Sequence, residues 1–90
     1  MSTTTYQLAE NVLFQKVAEE TVILEPETGQ YYTLDEIGTF MIENIQQGKT
    51  IKEVVSCVLK KYQTDEQEVT QDLSELIAEM LKQGLLVEAL

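Results

Sequence analysis

Apolar and polar positions divide the 90-residue chain into two unlike halves. Up to Leu34 the apolar residues come in short runs separated by turn-forming residues, the pattern of strands. From Ile37 onward they recur at intervals of three and four, the pattern of helices with one buried face. Val12 to Val17 and Thr21 to Leu24 read as two strands joined near Ala18-Glu19, where neither residue is a strong hairpin former. Pro26 and Gly29 make the next turn firmer, because proline presets φ and glycine tolerates a left-handed exit. A three-stranded antiparallel meander over roughly 11–17, 20–25 and 30–34 is therefore expected. Residues 1–8 are polar and read as a loose start, which sets a flexible lead-in of 1–9 apart from a domain of 10–90.

Three helices follow, each with its own punctuation. Ile37, Phe40, Met41 and Ile45 share one face, and Gly48 supplies a left-handed stop. Thr50 and Glu53 form a capping box, in which each side chain satisfies a backbone N–H of the first turn. The helix behind it carries Ile51, Val54, Val55, Val58, Leu59 and Tyr62 on one stripe. Thr64 to Gln67 reads as a second capping box, and the last helix carries Val69, Leu73, Leu76, Ile77 and Met80 before Gly84. Leu85 to Leu90 reads as a short strand or an apolar tail packed back on the domain. The expected fold class is α+β, an N-terminal three-stranded antiparallel sheet followed by three α-helices.

Two features of this layout bear on function. Tyr31, Tyr32, Thr33 and Leu34 favour an extended backbone, and Asp35 then caps the first helix. If this third strand lies at a sheet edge, its free N–H and C=O groups can accept an added peptide strand. Alternation divides the tyrosines: if Leu34 faces the core, so does Tyr32, while Tyr31 and Thr33 point away. On the last helix Glu68, Asp72, Glu75 and Glu79 form an acidic ridge beside the apolar stripe. Such a ridge is ordinarily a solvated face, and it can also be a negative lip that steers a basic peptide.

Composition narrows the chemistry. Sixteen acids face six lysines, for a formal charge of −10, and there is neither arginine nor histidine. Histidine is the usual general base and the commonest metal ligand. Arginine is the best fork for phosphates and guanine edges. Nucleic acid is therefore not an expected partner, since phosphate neutralisation dominates that affinity. The carboxylates sit at capping and surface positions rather than in apolar pockets that would raise a pKa. The single cysteine, Cys57, reads as a partly buried structural thiol of a reducing compartment. No metal spacing, phosphate loop or nucleophile motif occurs, so neither catalysis nor a cofactor is expected. The start is not a secretory signal, and no apolar run approaches the roughly 20 residues of a membrane helix. The expected setting is cytoplasmic.

The order Leu24-Glu-Pro-Glu-Thr-Gly-Gln-Tyr-Tyr-Thr-Leu-Asp-Glu36, Gly48-Lys-Thr-Ile-Lys-Glu-Val54 and Leu81-Lys-Gln-Gly-Leu-Leu86 resembles the PqqD-like family. That family is also called the RiPP recognition element, after the ribosomally made, post-translationally modified peptides it serves. The resemblance covers about residues 10–88 and implies a winged-helix-like domain without enzyme activity. It implies that the leader of a precursor peptide adds as an antiparallel strand to the third strand, Gln30, Tyr31, Tyr32, Thr33 and Leu34. The groove wall would come from Val69, Asp72, Leu73, Leu76, Ile77 and Met80. The chain lacks the arginine- and tryptophan-rich first strand of the pyrroloquinoline quinone subgroup. It looks more like the free-standing leader-binding proteins of lasso-peptide pathways. Those work beside a separate leader peptidase and a macrolactam synthetase. Two other readings are a winged-helix DNA-binding regulator, which calls for a basic recognition helix, and a self-associating domain, which calls for a dimer. The resemblance itself is compatible with a monomer or weak dimer.

Overall fold

Side-chain alternation decides how the meander is buried. In the computed structural model, which describes residues 3–89, strands β2 (Leu13–Val17), β3 (Glu20–Glu25) and β4 (Gln30–Leu34) form an antiparallel sheet in that order. Their register sets Phe14, Ile23 and Tyr32 in one cross-strand row and Lys16, Thr21 and Leu34 in the next. This face packs on helix α1 (Glu36–Gln46). Ile23 and Leu34 are buried there, and Phe14 and Tyr32 half-buried against them. Inside the contact the Thr39 hydroxyl donates to Thr21 Oγ1 at 2.9 Å, so neither buried hydroxyl is left unpaired. At the rim Lys16 Nζ lies 3.2 Å from Glu43 Oε2, an exposed pair worth at most about 1 kcal/mol.

The β2–β3 hairpin turns through Ala18 at φ +59°, a left-handed position that glycine fills more readily. An L-residue pays about 1–2 kcal/mol there, partly offset by the greater chain entropy glycine loses on folding. Ala18→Gly is therefore expected to stabilise the protein by about 0.5–1 kcal/mol. Thermal unfolding followed by circular dichroism should show a rise of roughly 3–6 °C. No rise would mean that the turn is unstrained.

The helices begin and end largely where their punctuation requires. Asp35 Oδ1 accepts from the Gly38 N–H at 2.8 Å, and Gly48, at φ +86°, follows α1. Helix α2 (Ile51–Lys61) opens with the complete Thr50–Glu53 capping box. Helix α3 (Glu66–Lys82) starts one residue later than the Thr64 box would have it. Its cap is Asp65, which accepts from the Glu68 N–H at 3.2 Å. Aspartate caps as well as threonine or better. Partial burial and a hydrogen bond to Glu36 hold the Tyr62 phenol, at the end of α2, above its ordinary pKa.

Part of the expected loose lead-in is a strand, while Met1 and Ser2 lie outside the described residues. Thr5–Leu8 forms strand β1, paired antiparallel with β5 (Leu86–Ala89) from Thr5↔Ala89 to Leu8↔Leu86. The partner of this strand lies at the opposite end of the chain, where no local pattern can reveal it. Tyr6 and Leu8 alternate toward the core and pack on it. Leu86 is buried beneath the pair, which answers the open choice for Leu85 to Leu90 in favour of a strand up to Ala89. One apolar cluster joins the sheet, the three helices and β5, with Ile42, Ile45, Val54, Val58, Leu73 and Met80 at its centre. No helix among the described residues is long and apolar enough to cross a membrane.

Candidate functional site

The site is built around β4, which ends the sheet and, among the described residues, pairs only with β3. Alternate residues of an antiparallel edge strand turn their N–H and C=O outward, so β4 offers backbone groups to a further strand. Its preceding turn is held firmly. Gly29, at φ +75°, donates its N–H to Glu25 O at 2.9 Å, and the Gln30 N–H donates to Thr28 Oγ1 at 3.2 Å. Asp35, as the cap of α1, fixes the other end. β4 is thus an edge strand pinned at both termini.

Burial separates its residues as alternation requires. Leu34 is buried and Tyr32 half-buried on the core face, while Thr33 is exposed and Tyr31 is 65% exposed on the other. Gln30 lies on the core side of the strand. Its Nε2 donates to Gln83 Oε1 at 2.8 Å, and Gln83 Nε2 in turn donates to Glu79 Oε2. This chain of amides ties the start of β4 to the end of α3.

That link sets the C-terminal end of α3 beside the start of β4. At about 100° per residue, Asp72, Leu76, Glu79 and Gln83 fall on one flank of the helix, beside its buried stripe. Val69, Leu73, Ile77 and Met80 make up the stripe and are buried in the core. Of the six α3 residues expected in the groove wall, Asp72 is therefore exposed and Leu76 half-buried, and the other four hold the helix in place from behind. Sequence reasoning had Glu79 in the acidic ridge but missed Gln83 as a member of this border, although its spacing of seven from Leu76 carries the signal. Glu68, Asp72 and Glu75 are exposed, and Glu79 is half-buried under its bond to Gln83.

The opposite face of the sheet is also apolar. Leu13, Leu24 and Tyr31 share a cross-strand row, with Leu13 52% exposed, and Val17, 61% exposed, lies farther along β2 beyond the row of Gln15, Val22 and Thr33. Among the described residues no group of acidic, cysteine or histidine side chains is arranged to hold a metal ion. Cys57 is a free, half-buried thiol.

Comparison with known proteins gives the family and the fold. The family described as coenzyme PQQ synthesis protein D (PqqD) matches residues 20–86, from the start of β3 to the start of β5. The solved structure of TbiB1 in complex with the TbiA(beta) leader peptide superposes with a TM-score of 0.81 at 26% identity. That match covers 89% of this chain and 93% of the other. Lasso peptide synthetase B1 complexed with the leader peptide has the same fold, with a TM-score of 0.83 at 15% identity over 91% of this chain and 96% of the other. No curated protein matches the chain in sequence.

Proposed function

This chain belongs to the PqqD family of RiPP recognition elements, and from that premise we propose that it binds the leader segment of a ribosomally made precursor peptide and presents it to modifying enzymes. The observation that carries this reading is the open edge of β4, tied at Gln30 to Gln83 at the end of α3, the helix whose Leu76 flank stays accessible. The leader adds to Gln30–Leu34 as an antiparallel strand, and its inward side chains enter the space between β4 and α3. Tyr32 and Leu34 line that space from the strand, and Asp72 and Leu76 from the helix. Val69, Leu73, Ile77 and Met80 form its backing. The protein itself catalyses nothing and needs no cofactor. It works in the cytoplasm beside a leader peptidase and a macrolactam synthetase, as a monomer or weak dimer.

The domain of this reading takes in β1 as well as residues 10–90, with the β2–β4 sheet as the wing of a winged-helix-like arrangement. Use of that arrangement on DNA is disfavoured by the exposed acids of α3, since phosphate contacts need cations. The apolar outward face of the sheet is the surface for the peptidase. A strand added to β4 extends that face next to Tyr31, so an enzyme seated there touches carrier and leader together.

The test is fluorescence anisotropy of a labelled leader peptide, encoded by any short precursor reading frame found near this gene and titrated with the protein. Saturable binding with a Kd in the micromolar range or tighter, about −8 kcal/mol, is expected. Leu76→Glu should weaken it about tenfold, because a carboxylate would face the apolar leader side chain across the groove. Absence of binding by folded protein at roughly a hundred micromolar would overturn the assignment.

A further inference from the structure

The sheet has a second free edge, β2, and the surface beside it is chemically opposite to the acidic flank of α3. A cleft of about 750 Å³ meets this strand at Phe14, with Phe14, Phe40 of α1 and Cys57 of α2 as apolar lining and Lys49 and Lys60 among its charged groups. A smaller hollow of about 190 Å³ shares Phe40 and Glu43 with the cleft and adds Lys16 and Lys61. Lys61 Nζ sits 4.6 Å from the centre of the Phe40 ring, which also meets Tyr62 edge-on at 5.7 Å. Together the two hollows hold four of the six lysines but three of the sixteen acids, namely Glu19, Glu36 and Glu43. Two of those three acids are engaged, Glu43 by Lys16 and Glu36 by the Tyr62 hydroxyl. Lys60 makes no ion pair among the described residues. The wall is firm: buried Asn44 donates to Phe40 O at 2.8 Å and accepts from Lys49 Nζ at 2.5 Å.

We propose that this furrow is a second protein-docking site, which takes an extended, acidic segment of a partner protein with an apolar anchor. The segment pairs with the open edge of β2, its apolar side chain rests on Phe14 and Phe40, and its carboxylates meet Lys49 and Lys60. Three features select this occupant. A free strand edge accepts extended backbone. An aromatic floor accepts an apolar side chain. Lysines gathered on one face of a chain carrying −10 attract an acidic segment where the rest of the surface repels it. A second copy of this chain fits poorly, because its acidic ridge is helical and its open strand β4, Gln30–Leu34, carries no carboxylate. The furrow lies on the opposite edge of the sheet from β4, so a leader and this partner can be held at once. The inference does not depend on the leader reading.

The test uses 15N-labelled protein and an acetylated hexapeptide that alternates leucine with aspartate, with a leucine–lysine hexapeptide as control. Titration should shift the amides of β2 and of the Cys57–Lys60 turn, and the control should not. The Lys49→Glu/Lys60→Glu double variant, checked for a dispersed spectrum, should bind the acidic probe about tenfold more weakly at low salt while its affinity for the leader stays within about twofold. Shifts confined to β4, equal binding of the control, or an unchanged affinity in the double variant would each overturn the proposal.

Discussion

A leader carrying proline at the centre of its docked segment is expected to bind this protein about a hundredfold more weakly than the native leader. The reason lies in what an edge strand recognises. Strand addition to β4 is carried by backbone hydrogen bonds, and proline has no N–H to give. Losing one such bond removes about 0.5–1.5 kcal/mol, and the β4 carbonyl left facing a desolvated groove costs about 1–3 kcal/mol more. A combined loss near 2.7 kcal/mol corresponds to about a factor of a hundred. Anisotropy with a set of peptides, each carrying proline at a different position, measures it directly. The set also yields a second signature. Only alternate leader residues bond to β4, so the loss should rise and fall with a period of two along the peptide. A period near 3.6 would instead mean a helical leader. A loss smaller than twofold at every position would remove the β4 edge from the binding site.

The parts of this site written in the sequence are those set by neighbouring residues. Pro26, Gly29 and Asp35 mark the ends of β4 by backbone conformation and capping, both local effects, and the strand occupies the expected Gln30–Leu34. The division between Tyr31 and Tyr32 follows from alternation once Leu34 is known to face the core. Other features depend on contacts between distant segments. The edge status of β4 requires the strand order, and the β1–β5 pair requires both ends of the chain to meet. Periodicity marks Val69, Leu73, Ile77 and Met80 as one apolar stripe, but it cannot say whether a stripe faces a core or an open groove. Only the arrangement of α1, α2 and β5 around α3 decides that they are buried. The same limit hid the Gln30–Gln83–Glu79 link, since glutamines at two distant positions carry no signal until the fold brings them together.

The stripe also supplies the sharpest separation between holding the fold and holding the leader. Leu73→Ala is expected to destabilise the protein by about 3–4 kcal/mol. Leu73 is fully buried in the centre of the core cluster, so truncation loses the transfer energy of the missing carbons and leaves a cavity that the surrounding helices fill only in part. For a domain of this size, whose whole stability is about 5–10 kcal/mol, that is a large share, and the melting temperature should fall by roughly 15–25 °C. Leu76 is half-buried on the flank toward β4, and its truncation should cost the fold far less. The two alanine variants should thus part company at 10 °C, where both remain folded. Leu73→Ala should bind the leader within about threefold of the parent, and Leu76→Ala should bind it more weakly than Leu73→Ala despite being the more stable protein. Urea unfolding combined with anisotropy on the same samples checks both halves. If Leu73→Ala instead keeps its stability and loses the leader, then α3 turns its central stripe toward the groove, and the flank of Asp72, Leu76, Glu79 and Gln83 is not the wall.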